Sequence, residues 1–531
     1  MTRSVIIDPV TRIEGKLSLE LSVDDTSNAV VSAKAAGSLF RGFETIVLNR
    51  DPRDAAPILS AICGVCYCDH HIASVRAVEN AAGMTDYSAD YSTEQTSIPM
   101  NAVLGRNLVL GADWTYSHMV HILALAGPDY HLYGLLDALK PNYAVSGYAD
   151  LLRQFIIPAQ QYINQAITLW GGKTPHPRAI VPGGNPVRPT PEVIEQTRAR
   201  IAQARALTDQ ILPTVWNYLT ANATLLGGLG QGPGNFISMG AFPDPTSADG
   251  TSNMQLLIPR GVVRYPNTTP DPFDPGRITE DTSLSWYNQP TPEAVVGEQT
   301  PVPDMSGSQA YTWAKAPRYD GMICESGPLA RECISGIYPK LGQVLHVAMP
   351  DVAGLPFNAR GSAFDRMTAE AMELLALVGS ANTIQNLEFL GEPLNLSPVD
   401  LLNSLGLPQA GLLESWLDGM KVDQPSYNPS YRNPGNAEGI GLGEAPRGSL
   451  LHWISVKNSK VANYQVLAPT TWNASPGGPL EGALLGTPVG QTGTDDDLRP
   501  TAYVVRSFNL CMACAVHAID ARGNDRYLRI G

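Results

Sequence analysis

Two cysteine pairs in this chain have the spacing of metal ligands. Cys63-Gly-Val-Cys66 is followed by His70, and Cys511-Met-Ala-Cys514 by His517. A CxxC loop lets two thiolates reach one ion without straining the backbone, and soft thiolates select soft or late metals. Together the pairs make a complete four-sulfur site. A structural zinc ion is one occupant that the spacing permits, and a redox-active CxxC is another use of each pair. Zinc sites usually close small modules, whereas most of this chain lies between the pairs. A redox pair does not account for one at each end. Cys68, Cys324 and Cys333 complete a set of seven, too few for a disulfide scaffold in 531 residues. Cys68 reads as a buried bystander or a redox-active neighbour, Cys324 and Cys333 as core.

Such ligands need a large frame, and the composition supplies one. With 44% apolar and 16% charged residues the chain has the makings of a globular protein with a sizeable core. At about 150 residues per domain the length allows three or four domains, but no repeat is present and the two pairs flank everything else, which favours one compact unit. Alternating residues in 4–33 predict strands. Asp51-Pro52 predicts a helix start running to Ile62, and a second helix spans 72–82, closed by Gly83. The first CxxC therefore falls at a junction between helices. Thr190-Pro191 caps a long helix with Ile194, Thr197, Ile201, Ala204, Thr208 and Ile211 on one face, stopped by Pro213. Further helices are expected at 103–126, 151–170, 362–377 and 398–420, and residues 227–308, rich in Gly, Pro, Asp and Thr, read as long loops. A net charge of −14 without a basic stripe speaks against nucleic acid. No apolar run approaches the roughly 20 residues that span a bilayer, and 1–16 has no signal-peptide pattern. By itself the chain is expected to stay in the cytoplasm, export needing a partner's signal.

Taken in order, several motifs resemble those of one family, the large subunits of nickel-iron hydrogenases. They are Arg12-Ile-Glu-Gly15, Arg41-Gly-Phe-Glu44, Cys63 to His70, Lys315-Ala-Pro-Arg-Tyr-Asp-Gly321, Gly327-Pro-Leu-Ala-Arg331, Ala445-Pro-Arg-Gly448 with His452-Trp453, Pro469-Thr-Thr-Trp-Asn473, and Cys511 to His517. Any one alone is weak, but their joint occurrence is specific. The resemblance covers nearly the whole chain and implies an α+β, predominantly α-helical fold with small β-sheets and both chain ends meeting at the core.

It also implies roles. Nickel would be held by Cys63, Cys66, Cys511 and Cys514, with Cys66 and Cys514 bridging to an iron that carries one CO and two CN ligands. The reaction would be reversible splitting of dihydrogen into protons and electrons, in the uptake direction. Cys511 would be the first proton acceptor, Glu14 the relaying carboxylate, Arg447 the guanidinium over the open position, and Asp129 the group that positions this arginine. His70 would lie near a bridging sulfur. Pro446 and Thr470 would surround the iron ligands, where polar donors can hold cyanide. Glu44 and His517 would bind Mg2+, and Val65 and Pro128 would narrow the gas route. Composition alone reads Glu14 as a solvated charge and Val65 and Pro128 as packing.

The family further implies an iron-sulfur small subunit that carries the clusters, none of them in this chain. A maturation chaperone and a C-terminal endopeptidase act during assembly, and a quinone- or cytochrome-linked membrane partner receives electrons. Location would be membrane-associated or periplasmic by co-export, with a cytoplasmic alternative. Residues 518–531 resemble the extension removed on maturation, leaving a single unit, 1–517. Four features depart from the family pattern. Ala61 replaces an arginine, Lys16 a histidine, Pro128 a leucine, and Asn509-Leu510 an Asp-Pro, so the electrostatics around Arg447 are expected to differ. The rival from another class is a non-enzymatic relative with a zinc-type four-cysteine site in a larger redox complex. Such a scaffold has no need of Glu14 or Arg447.

Overall fold

The computed structural model describes residues 1–10, 12–84, 97–131, 147–244, 255–289, 293–348, 359–385, 387–389, 392–393, 397–492 and 495–515. His517 and the segment 518–531 lie outside the described residues.

Period-two patterning at the start of the chain yields an antiparallel sheet, Thr2–Val10, Leu17–Asp24 and Ala29–Gly37 in sequence order. Leu17, Leu19, Leu21 and Val23 are fully buried on one face, each contributing about 1.5–3 kcal/mol. A second antiparallel sheet joins Ala437–Ala445, Gly448–Lys457 and Lys460–Leu467. Its middle strand is buried along nearly its whole length.

The helices Met100–Val120, Ile157–Gly171, Pro191–Ala221 and Ala363–Val378 pack against one another. Ser362 and Asp365 close a capping box at the start of the last of these. With 43% helix and 22% strand the fold is α+β with helix predominant, as the resemblance implied. One hydrophobic cluster takes in residues from Val10 to Met512, so the two ends of the described chain share a core.

Several boundaries differ from the sequence reading. The helix expected at 72–82 begins at Tyr67, directly after Cys66. The stretch 52–62 is a 3-10 turn Pro52–Asp54, a helix Ala55–Leu59 and a second 3-10 turn Ser60–Ile62. Pro213 does not stop its helix, which runs to Ala221. A proline inside a helix costs about 3 kcal/mol, but Val215, Trp216 and Leu219 continue the buried face beyond it, and their burial offsets that cost. Residues 398–420 form two helices, Pro398–Leu405 and Leu412–Gly419, because Gly406 and Gly411 take left-handed turns at φ +72° and +77°. In the loop-rich region 227–308 the described strands are four residues or shorter.

Candidate metal centre

The first thiol pair is aimed by a helix laid directly on a sheet. Tyr67–Ala81 packs on strand Ala437–Ala445, and glycines make that approach possible. A Cβ on Gly439 would lie 2.2 Å from the Ala77 carbonyl oxygen, and one on Gly441 1.9 Å from that of Ala73. Cys66 is the N-cap of this helix, and the main-chain N–H groups of Val65 and Cys66 donate to Cys63 Sγ at 3.3 and 3.0 Å.

The second pair is delivered by the end of helix Arg499–Ser507. Asn509 turns the chain at φ +48°, a conformation asparagine tolerates, and the short helix Met512–Ala515 follows. The Arg12-to-Gly15 stretch clamps this segment, with Met512 N–H donating to the Glu14 carbonyl at 2.7 Å. Gly15 is required at φ +81°, since a Cβ there would lie 2.5 Å from Ala513 N. Arg41 ties the two loops together by donating to the carbonyls of Ala61 at 3.3 Å and of Ile62 and Ala513. Its motif alone gave Arg41 no role.

All four thiols are buried, and their sulfurs lie within 4.8 Å of one another. Cys63 and Cys511 are 3.4 Å apart, Cys66 and Cys514 3.2 Å, Cys511 and Cys514 3.0 Å. Burial raises all four thiols; in Cys66 and Cys514 contacts with neighbouring sulfurs raise them further, while hydrogen bonds from the other three hold Cys63 well below the usual thiol range. Four sulfurs converging away from water call for a cation. Arg447 supplies one positive charge. Burial disfavours its charge, but the four surrounding thiols more than restore it. Its Nε and one terminal nitrogen are buried without a hydrogen-bond partner, which suits donors aimed at anionic ligands. The donor set fits a thiolate-bound nickel-iron centre.

Arg447 occupies the two-residue turn between strands Ala437–Ala445 and Gly448–Lys457, next to Pro446. Its partner is not Asp129. The Asp129 carboxylate is taken by Arg12 and, at 2.9 Å, by Arg506, and Arg447 donates instead to the Ser117 hydroxyl at 3.1 Å. Ser117 was missed because an uncharged side chain in a helical motif carries no signal of its own. Pro446 accepts a bond from Arg331 at 2.9 Å through its carbonyl. Thr470 accepts the Cys511 N–H at 2.8 Å. The Asn509 amide donates to Glu370 at 3.0 Å.

Glu14 places its carboxylate over the first loop, where a Cβ on Gly64 would stand 3.1 Å from its Oε1. Burial, then the Cys63 charge, push its carboxyl above the usual carboxylate range, against the pull of Arg447. His70 is buried and held neutral by burial, its pKa pushed down to about 4. Val65 packs half-buried against the thiol cluster. Pro128 is half-buried on a separate element, Gly127–His131, beside Asp129. Glu44 accepts from Val466 N–H at 2.8 Å and from Lys315 at 3.4 Å, and Lys315 also bonds Glu280 at 2.9 Å. Cys68 is buried, and burial, followed by Asp113 and Asp69, pushes its thiol up, which suits the bystander reading. Lys16 pairs with Asp8 at 3.7 Å, on the surface.

The fold and the thiol centre define a nickel-dependent hydrogenase. That family matches residues 41–146, 138–389 and 413–517, and the chain belongs to it; it is an oxidoreductase of the large-subunit type. Among its relatives is the periplasmic [NiFeSe] hydrogenase large subunit of Desulfomicrobium baculatum, 31% identical over 99% of this chain and 96% of that protein. The uptake hydrogenase large subunit of Rhizobium leguminosarum bv. viciae is 28% identical over 98% and 96%. The solved structure of the reduced Ni-Fe-Se hydrogenase from D. vulgaris Hildenborough superposes with a TM-score of 0.77 at 31% identity, covering 97% of this chain and 100% of that one. Those names include selenium; all four positions here are cysteines.

Proposed function

We propose that this subunit splits dihydrogen reversibly into protons and electrons at a nickel-iron centre, working in the uptake direction. The observation that carries the reading is the convergence of Cys63, Cys66, Cys511 and Cys514 in a buried cluster beside Arg447. Bound there, nickel and an iron carrying CO and two CN supply the Lewis-acid and redox chemistry of the reaction. Cys63 and Cys511 would hold nickel alone, and Cys66 and Cys514 would be shared with the iron. Arg447 would direct its unpartnered N–H groups at the anionic ligands of the centre. Thr470 fixes Cys511 through its main-chain N–H, and its own O–H, with Pro446, lines the cyanide side.

The Cys511 thiolate accepts the proton, and Glu14 takes it outward. Glu14 is joined to the second loop by its backbone and leans over the first with its carboxylate. Asp129 acts as a positioning residue, holding Arg12 beside Glu14 and Arg506 ahead of Asn509. His70 lies near a bridging sulfur, and Val65 and Pro128 narrow the gas route. Glu44 and His517 would bind magnesium. Two carboxylates, Glu44 and Glu280, share a single ammonium, Lys315, and one buried Glu280 oxygen has no partner, which leaves negative charge for a hard cation.

Electrons pass to an iron-sulfur small subunit. Leu39 and Ile46 are exposed apolar residues on either side of Arg41, which touches both thiol loops, so this surface is the docking face nearest the site. The catalytic unit is 1–517, assembled with a chaperone and trimmed of 518–531 by an endopeptidase, and it delivers electrons towards a quinone- or cytochrome-linked membrane partner. No described helix is long and apolar enough to cross a membrane. Placement outside the cytoplasm by co-export follows the periplasmic relative, and the uptake direction the Rhizobium one. Dihydrogen-dependent reduction of an artificial acceptor by the purified heteromer tests the reading. Activity should be present in the parent and abolished by Cys511→Ser; a nickel-loaded heteromer inert towards dihydrogen would overturn it.

A further inference from the structure

The Ala445-to-Trp453 motif contains a residue that the thiol centre does not absorb. His452 lies in the middle strand Gly448–Lys457, fully buried, paired with Gly441 on one side and Val466 on the other. The glycine that lets helix Tyr67–Ala81 approach the sheet is thus the neighbour of His452, which meets two side chains of that helix directly or through one intermediary. His452 Nε2 lies 3.0 Å from His70 Nδ1, and His452 Nδ1 lies 2.9 Å from the Tyr464 hydroxyl. Tyr464 in turn donates to Ser74 Oγ at 2.9 Å. All four side chains are buried. The other ring nitrogen of His70, Nε2, is buried without a hydrogen-bond partner.

The direction of the last bond fixes the rest. Because Tyr464 gives its proton to Ser74, its oxygen accepts from His452 Nδ1–H. His452 Nε2 is then the bare nitrogen and accepts from His70 Nδ1–H, so a neutral His70 presents a lone pair at Nε2. If every bond in the chain is reversed, with Ser74 donating to Tyr464, each contact is again satisfied and His70 Nε2 carries the hydrogen. The two arrangements differ only in where protons sit along one buried row. Burial keeps His70 neutral, so these tautomers are the states open to it.

We infer that His452 and Tyr464 are positioning residues that fix the ring and tautomer of His70, one helical turn from Cys66, and so decide whether its buried Nε2 is a lone pair or a donor. An N–H directed at an anionic sulfur withdraws electron density from it, whereas a lone pair does not, and groups of this kind tune a metal through its ligands. The inference rests on the hydrogenase reading above.

Tyr464→Phe and His452→Gln, each made in the complete heteromer, separate this role from simple packing. Phe keeps the ring and removes the hydroxyl that links His452 to Ser74; Gln keeps a hydrogen-bonding group beside His70 and breaks the link to Tyr464. Both variants should load nickel as the parent does, show shifted g-values in the nickel paramagnetic resonance signal of the oxidised enzyme, and change dihydrogen/deuteron exchange by about 10-fold. Nickel signals and exchange rates identical to the parent in fully loaded variants would overturn the inference. A parent complex without nickel would remove the hydrogenase reading and this inference with it.

Discussion

Four buried sulfurs within 4.8 Å of one another cannot all carry charge on the strength of a neighbouring guanidinium such as Arg447, so the thiols give up their protons as metal binds. The residue proposed to handle protons during turnover is Glu14. Its carboxyl is raised above the usual carboxylate range by burial and by Cys63, which suits a group that alternates between the two protonation states. Glu14→Gln should keep full nickel and slow dihydrogen/deuteron exchange about a hundredfold; unchanged exchange would take Glu14 out of the relay. The convergence of the four cysteines and the nearness of Glu14 to the first loop were legible because these residue types and motifs stand out in the sequence. The neighbours of Arg447 were not. Ser117 announces nothing by type, and Asp129, the obvious charged candidate, turned out to serve Arg12 and Arg506. Asn509 was legible as a departure, but its partner Glu370 lies far away in sequence.

At the scale of elements, the thiol loops are held by close approaches more than by long-range charge. Gly441→Ala would put a methyl 1.9 Å from the Ala73 carbonyl and force helix Tyr67–Ala81 off its strand. We expect a stability loss of at least about 1–3 kcal/mol with reduced nickel content, measured by thermal unfolding and metal analysis; full nickel and unchanged unfolding would contradict this placement. A buried ionic cluster joins helices Met100–Val120 and Ala363–Val378 to the segment before Cys511. Glu370 lies 3.0 Å from His118 Nδ1, 2.6 Å from His121 Nδ1 and 3.0 Å from the Asn509 amide. Burial works against its charge, but the histidines hold Glu370 down at about 2. Burial likewise opposes a charged His118, which Glu370 and Glu373 nevertheless raise. With its folded value below the unfolded one, Glu370 contributes stability above pH 4.5 that is lost as pH falls towards 2. His118 contributes below pH 6.5 and loses it as pH rises through its raised value. Glu370→Gln should therefore cost about 3–5 kcal/mol at neutral pH and flatten the acid limb of the unfolding profile; an unaltered limb would place the acid sensitivity elsewhere. Periodicity made these helices visible. It could not show that Pro213 would be carried through by the buried face beyond it, or that Gly406 and Gly411 would split 398–420 in two.

For the whole molecule, the demand that residues 63–66 and 511–514 meet was readable from the cysteines alone, and the shared core running from Val10 to Met512 meets it. The means were not readable, since Gly439, Gly441, Gly15 and Arg41 act through contacts between distant parts of the chain. The most direct test of the central claim is metal analysis with infrared spectroscopy on the purified heteromer. The account predicts nickel and iron bound to this subunit in equal amounts, with bands from metal-bound carbon monoxide and cyanide. Zinc in place of nickel, with no such bands, would contradict it and leave a structural four-cysteine site.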